Sequence, residues 1–409
     1  MNGVGQRRPG QSRTAERHDR PGRGGRLPFA AAAYILFVLT VGTNMPTPLY
    51  ARYQAAFGFS PLVVTLVFAV YAGTLIPTAM FSGALTDSLG YRRMVGPAIA
   101  LAAVAAVLFC CADSVAWLYA ARALQGVSVG AASGALTAAL VETEPSGDRA
   151  RASMLASVMI VGGGGIGPVL AGFLGQHAPL PLRLTYLVEL ALLALAAVGA
   201  TRLPRRTRPG VWLFHRPRIP APVRRRFALA SAVSVLGWAV VALFLAMVPS
   251  YATAILHHHD LLLAGTAAGM FLLFAAVTQY ALARRGIAAP PTTGLLLLTA
   301  GLGMLAAAGG TRSLWLLLAA AACGGAGQGI TFMAALARVN ELAPQESRAE
   351  VLSAFYMITY LGVGVPVIGV GFLAAATDLL TAVVTFSAVT APACVLVAAK
   401  TRTTWADTV

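Results

Sequence analysis

Charge is what this chain lacks most. Charged residues make up 11% of its 409 residues, with 14 Asp and Glu against 30 Lys and Arg, and the only lysine is Lys400. Soluble domains carry roughly 25% charged residues. A soluble chain of this length folds around two or three cores, each needing a polar coat. So few charges cannot supply those coats, whereas 58% apolar residues and a mean hydropathy of +0.75 suit a protein solvated by lipid. Cysteine is scarce too: Cys110, Cys111, Cys323 and Cys394 all sit inside apolar runs. That placement excludes a disulfide framework, and no zinc-ligand spacing is present. Also missing are a P-loop, a His/Asp/Glu cluster and a nucleophile with a nearby base, so the chain is expected to be neither an enzyme nor a protein with a cofactor. His257-His258-His259-Asp260 is the one tempting metal pattern, but four consecutive residues do not converge easily on one ion. No metal is assigned.

What is present is a set of long apolar runs. Twelve stretches approach the roughly 20 residues a helix needs to cross a bilayer. They lie near 27–49, 61–83, 95–112, 114–141, 152–174, 182–201, 227–250, 261–283, 291–310, 313–338, 350–374 and 378–399. They are continuously apolar and do not alternate with period two, which excludes a closed barrel. No signal peptide fits the start, because the first run is too long for one and lacks an Ala-x-Ala site. The net charge of +16 would suggest nucleic acid on a soluble protein. Here the bases lie in short segments between apolar runs, as the positive-inside rule requires, and no nucleic-acid partner is expected. With the amino terminus inside, 26 of the 30 bases are cytoplasmic, Arg52, Arg183 and Arg312 are outside, and Arg122 is in the membrane.

The organisation follows. Residues 1–26, with repeated Arg, Gly and Pro, form a basic cytoplasmic tail that cannot bury surface and is expected to be disordered. Residues 27–201 are a first six-helix bundle, 202–226 an Arg- and Pro-rich cytoplasmic linker, 227–399 a second six-helix bundle, and 400–409 a cytoplasmic tail. The halves resemble each other. Gln125-Gly126, Pro145, Arg151 and Pro168 in the first answer to Gln328-Gly329, Pro344, Arg348 and Pro366 in the second. Such a repeat is what a transporter built from two similar halves around a midplane site leaves in its sequence.

Three segments carry more specific chemistry. Between the second and third runs stands Gly83-Ala84-Leu85-Thr86-Asp87-Ser88-Leu89-Gly90-Tyr91-Arg92-Arg93. Gly83 permits close helix approach and Gly90 a sharp turn, while Asp87 can pair with Arg92 or face a helix amino terminus of the other half. The segment resembles the cytoplasmic loop signature of the major facilitator superfamily, matching at Gly83, Leu85, Asp87, Gly90 and Arg92. The resemblance implies a latch that stabilises one of two alternating states. The corresponding loop of the second half, Ala283-Arg284-Arg285-Gly286, lacks the acid.

The fourth run holds Arg122-Ala123-Leu124-Gln125-Gly126-Val127-Ser128-Val129-Gly130-Ala131, similar to a superfamily motif associated with proton transfer in proton-coupled members. A buried Arg needs a partner. Glu189 is the only acid well inside an apolar run, at a depth of about 10 to 12 Å like that of Arg122, so the two are candidates for a proton-coupling pair. The alternative is that helix carbonyls satisfy Arg122 and Tyr186 satisfies Glu189.

In the fifth run, Gly163, Gly167, Pro168 and Gly172 resemble the helix-bend signature of the drug/proton antiporter branch, with departures at Ala171 and Met154. The G-x-G-x-x-G of Gly162, Gly164 and Gly167 is a false dinucleotide fingerprint, since no strand precedes it. Asn44, beside Pro46 and Pro48, and Gln125, Tyr356 and Tyr360 are the substrate-cavity candidates. The prolines leave carbonyls without donors, which is tolerable where a helix lines a cavity. Aromatic residues on a cavity helix suit amphipathic or cationic ligands, though packing and interhelical hydrogen bonding are open alternatives for all four.

The resemblance implies an all-α membrane protein of twelve transmembrane helices in two bundles, with a cavity between them. It implies a multi-pass protein of the plasma membrane, monomeric, with both termini cytoplasmic, whose partners are the lipid bilayer, protons and a small-molecule substrate. The expected activity is export of an amphipathic drug or secondary metabolite in exchange for protons. The alternatives are a proton-coupled metabolite importer and, from another class, a non-transporting membrane receptor.

Overall fold

The computed structural model describes residues 25–204, 219, 221–254, 260–344 and 348–406. Most of the basic tail, most of the linker, and His257–His259 lie outside them, as do the side chains of Asp87 and Arg348 and the surroundings of Gly83.

The described chain is helical, with α1 Arg26–Asn44, α2 Pro46–Phe57, α3 Pro61–Leu89, α4 Tyr91–Cys110, α5 Val115–Thr143, α6 Arg149–His177 and α7 Pro181–Ala200 in the first half. The second half holds α8 Arg224–Ala246, α9 Val248–Ala254, α10 Leu261–Arg285, α11 Pro291–Thr311, α12 Leu314–Leu342, α13 Arg348–Ala376 and α14 Leu379–Ala406. Twelve spans are long and apolar enough to cross a membrane, α1 and α2 counting as one. No strand occurs among the described residues.

The helix ends follow local chemistry. Pro61, Pro181 and Pro291 open their helices, where a missing N–H costs nothing. Asp148 caps α6 by accepting from the Arg151 N–H at 3.0 Å, and Asp260 caps α10 by accepting from Leu262 and Leu263 at 2.8 and 3.1 Å. Two helix extents exceed the apolar runs. The first run breaks at Met45 and continues as α2 to Phe57, and α14 goes on past residue 399 to Ala406. Hydropathy marks the part of a helix that lipid covers, not where backbone hydrogen bonding stops. The end of α14 is held by packing: the Thr401 and Thr292 hydroxyls lie 3.3 Å apart, and the Arg338 guanidinium sits 5.7 Å from the Trp405 ring centroid.

Within the first half α5 packs against α1, α3 and α4; within the second, α12 packs against α8, α10 and α11. The halves meet along two long contacts, α6 with α10 and α3 with α13, and α2 also touches α9 and α10. Much of the α6–α10 seam is backbone against glycine. A Cβ at Gly165 would stand 2.8 Å from the Gly269 carbonyl oxygen and 2.9 Å from the Leu273 nitrogen, so the two helices approach at a distance only glycine permits. One hydrogen bond closes each end: the Ser157 hydroxyl donates to Gln279 Oε1 at 2.7 Å, and the Leu261 N–H donates to Gln176 Oε1 at 3.0 Å.

Candidate functional site

The break between α1 and α2 creates the site. Pro46 has no N–H, so the Gly42 carbonyl loses its regular helical donor. The Met45 N–H is shared between Val41 and Gly42, at 3.2 and 3.3 Å. α5 then brings two side chains, one turn apart, to this weakened stretch. Gln125 Nε2 donates to the Gly42 carbonyl at 3.1 Å, and Arg122 Nη1 donates to the Thr43 carbonyl at 2.5 Å and to Gln125 Oε1 at 3.1 Å. Arg122 Nε donates to the Tyr50 hydroxyl at 2.6 Å, from the first turns of α2.

Arg122 has no solvent exposure. Its guanidinium lies 5.6, 5.1 and 5.6 Å from the ring centroids of Tyr50, Phe68 and Tyr71, so three aromatic faces stand in for water around the charge. One donor remains unused: Nη2 is buried with no hydrogen-bond partner.

Glu189, on α7, reaches the same stretch of α1. Its carboxylate packs on Gly42 so closely that a Cβ there would strike Oε1, and only glycine leaves room for it. Its Oε2 is likewise buried and unpartnered. Arg122 and Glu189 thus both address the Gly42–Thr43 segment, yet no ion pair joins them among the described residues. The Thr43 carbonyl, Gln125 Oε1 and the Tyr50 hydroxyl hold Arg122 instead. Tyr186 does not serve Glu189 either; its hydroxyl stands 3.4 Å from that of Tyr53, and its ring stacks on Phe109 at 5.0 Å.

The glycines of α6 divide between two neighbours. Gly163 and Gly167 lie on α1, the first 2.7 Å from the Phe37 carbonyl by a Cβ's reach. Gly172 lies on α10 in the same way, 2.5 Å from the Leu261 carbonyl, and the Pro168 carbonyl fills the space a Cβ at Gly265 would take. α6 is therefore wedged between the broken helix and the opposite half. Asn44 closes α1, half-buried, with its Nδ2 3.2 Å from where a Gly164 Cβ would be.

Tyr360 packs against the hydrophobic core of the first half, whereas Tyr356 is 39% exposed and meets Phe355 edge-on at 5.7 Å. Gly90, φ 83°, makes the turn from α3 into α4 in a conformation that favours glycine. Beside it, the Tyr91 hydroxyl donates to Glu142 at 2.5 Å, Arg92 is half-buried and Arg93 exposed. Asp87 is in α3, with its side chain outside the described residues.

Sequence reasoning missed Tyr50, Phe68 and Tyr71 as the surroundings of Arg122; Tyr50, at the end of the proline-bearing segment, was the one with a signal. It also missed Glu144. That buried carboxylate accepts from the Ser146 hydroxyl and N–H, both at 2.7 Å, and from the Asp148 N–H at 2.9 Å, with Arg151 Nη1 at 3.7 Å. These contacts, the Ser146 hydroxyl foremost, hold its carboxyl below the usual carboxylate range against the upward push of burial. The run of turn residues after it, Pro145-Ser146-Gly147, was the available clue.

Twelve apolar spans in two helix groups, meeting along glycine-lined seams beside a buried cation, define a polytopic membrane protein. The chain belongs to the Major Facilitator Superfamily, whose family model matches residues 32–367. It is a transporter and not an enzyme. It is similar to the quinolone resistance protein NorA of Staphylococcus aureus, 23% identical over 141 residues, which is 34% of this chain and 36% of that one. The match thus spans about a third of the length of that relative. Among solved structures, a POT family transporter in complex with 5-aminolevulinic acid aligns with TM-score 0.76 at 12% identity, over 91% of this chain and 96% of the other. A bacterial homologue of the human lysosomal transporter Spinster, inward-facing and occupied, aligns with TM-score 0.67 at 17% identity, covering 91% and 95%. The human organic anion transporter MFSD10 gives 0.66 at 15%, covering 91% and 99%. These structures share the fold.

Proposed function

We propose that the protein exports a small amphipathic drug or metabolite across the plasma membrane in exchange for protons, working as a monomer with both termini cytoplasmic. The observation that carries this reading is the unformed pair at the α1 break: Arg122 Nη2 and Glu189 Oε2, each buried and each without a partner. A buried carboxyl is stable when neutral, and once ionised it demands a cation. Protonation of Glu189 therefore sets whether it pulls on Arg122, and Arg122 is tied to the Thr43 carbonyl and Tyr50 on either side of the break. A change in charge at Glu189 is thereby converted into a bend of α1 against α2. α6 lies against that bend and against α10, so the movement reaches the seam between the halves. Asp87, Gly90 and Arg92 latch the cytoplasmic ends in one of the two states. Similarity to a quinolone resistance protein and the Gly167-Pro168 element of α6 favour outward flux.

The test is gradient-driven transport in proteoliposomes, with quinolones among the compounds tried. Glu189→Gln should abolish uphill transport while leaving binding and passive exchange. Undiminished uphill transport by that variant removes Glu189 from the coupling. Cells expressing the protein should tolerate an amphipathic antibiotic better than cells expressing Arg122→Ala, and collapse of the gradient should erase the difference. Accumulation that rises with expression would reverse the direction to import.

A further inference from the structure

The two halves differ in how they pack behind the seam that joins them. Position for position, Phe29 falls on Phe227, Tyr53 on Tyr251 and Pro168 on Pro366. Both tyrosine hydroxyls donate to a main-chain carbonyl, that of Phe109 at 3.1 Å and that of Leu305 at 3.2 Å. In the first half Phe37, Val41 and Ala171 fill the wedge between α1 and α6, with Val41 and Ala171 buried, and Leu192 of α7 packs against the core of that half. The positions that answer to these four are Val235, Ala239, Gly369 and Thr390. Each is smaller, and what they leave is a cavity of about 380 Å³ between α8, α13 and α14.

This slot lies on the far side of α13 from the other half. Gly364 and Gly371 seat α13 on α3, against Ala72 and Thr65, whereas Pro366, Gly369 and Leu373, which line the slot, fall on the opposite face at helical spacing. Its mouth opens to lipid, because Gly369, Thr385 and Val389 are exposed. On α14 the lining runs from Thr385 to Ala393, about 12 Å at 1.5 Å per residue. That height is close to the roughly 15 Å of hydrocarbon in one leaflet. Protein interiors leave few voids larger than a water molecule, and an apolar slot stays dry, so what fits it is hydrocarbon. A charge stands over the slot. Asp378 is exposed at the start of α14, two turns from Thr385 on the same face. The Thr381 hydroxyl and N–H, at 2.5 and 2.9 Å, hold its carboxyl below the usual carboxylate range.

We propose that the slot is a binding site for one phospholipid with an ammonium-bearing headgroup, an acyl chain lying between α8, α13 and α14 and the ammonium at Asp378. The lipid completes in the second half the packing that Phe37, Val41 and Ala171 supply in the first. The site is separate from Arg122 and Glu189, and it is independent of cargo, coupling and direction of transport.

The experiment is native mass spectrometry of the full-length protein, delipidated in detergent, with dioleoyl phosphatidylethanolamine or dioleoyl phosphatidylglycerol added back, and thermal unfolding of the same samples. Wild type should retain one phosphatidylethanolamine under activation that strips other lipid, and melt several degrees higher with it. It should hold that lipid about tenfold more tightly than phosphatidylglycerol. Gly369→Leu fills the slot from a position where a Cβ meets nothing within 4 Å; it should lose the retained lipid and melt no lower than lipid-free wild type. Gly303→Leu, on α11, makes the same change in equally open space and should keep the lipid. Asp378→Asn should keep a lipid and lose the preference for phosphatidylethanolamine. The proposal is overturned by wild type that retains no lipid, by Gly369→Leu that retains it as wild type does, or by its loss from Gly303→Leu. A preference that survives Asp378→Asn, or a lipid-free Gly369→Leu that melts several degrees below wild type, overturns it too. A dimer in place of the lipid adduct would make the slot an interface between copies, and release of the lipid by ciprofloxacin would make it a cargo site; either result also rejects the lipid.

Discussion

Gly165→Ala is the perturbation that most directly probes the α6–α10 seam, and Gly162→Ala on the same helix is its control. Both replace a mid-helix glycine, so both gain up to about 1 kcal/mol in helix propensity. They differ in what the new methyl meets. At Gly162 the nearest atom is Ala276 Cβ at 3.8 Å, an ordinary contact. At Gly165 the methyl would lie 2.8 Å from the Gly269 carbonyl oxygen and 2.8 Å from Leu273 Cγ. A comfortable C–H···O contact needs about 3.3–3.6 Å, so the helices must part by roughly half an ångström along a backbone-lined contact. Overpacking of this kind costs about 1–3 kcal/mol. The expected net is a gain near 1 kcal/mol for Gly162→Ala and a change between zero and a loss of about 2 kcal/mol for Gly165→Ala. Thermal unfolding in nanodiscs should therefore separate the two melting temperatures by a few degrees, with Gly165→Ala the lower and the slower in transport. Melting curves that coincide, or a more stable Gly165→Ala, would refute the view that this seam depends on backbone contact.

Tyr50→Phe keeps the ring beside Arg122 and removes the hydroxyl that accepts from Nε at 2.6 Å, so it should cost about 1–3 kcal/mol by stranding a buried donor; an unchanged melting temperature would show that the ring alone holds the cation. Glu144 has a depressed carboxyl pKa in the folded protein. Its contribution is therefore complete above the usual carboxylate value of 4.5 and is lost as pH falls through the lower folded value. Hydrogen exchange of the 144–148 turn should accelerate in that acid window, and Glu144→Gln should flatten the dependence. Asp87→Asn, which keeps shape and removes charge, should slow turnover with normal membrane insertion and shift the protein toward the inward-open state; unchanged spectroscopic distances across the cytoplasmic face would count against the latch.

The twelve spans were legible because lipid imposes one length and one polarity on every crossing helix. The break at Pro46 was legible as well, since a missing N–H is a local fact. Which donors would come to the freed carbonyl was not local. Gln125 reaches Gly42 across 83 residues of chain and Arg122 reaches Thr43 across 79, and only the packing angle of α5 on α1 selects them. Equal depth in the membrane made Arg122 and Glu189 look like direct partners. Depth, however, fixes one coordinate of three, and here α1 offers the Thr43 carbonyl to the arginine first. Phe68 and Tyr71 come from α3, which carries no polar signal at those positions. Equally hidden was that neither end of the buried Gln328 amide, on α12, has a hydrogen-bond partner, because a glutamine in an apolar run looks the same whether or not its partner exists.

The contact between α6 and α10 has a mechanical consequence. Helices that interlock through large side chains must lift out of one another's grooves to change their angle. Along α6 and α10 the teeth are few: backbone meets glycine at Gly165, Gly172, Gly265 and Gly269, with Leu272, Leu273 and Val169 the side chains between them, so this seam can slide like a shaft in a plain bearing with little to lift clear. The hydrogen bonds that limit sliding along this seam sit at its two ends: Ser157 with Gln279, and the Leu261 N–H with Gln176. Each stop is a single hydrogen bond, worth about 0.5–1.5 kcal/mol net. A joint with so smooth a middle and such light stops can tip either way on the binding of one small molecule or one proton.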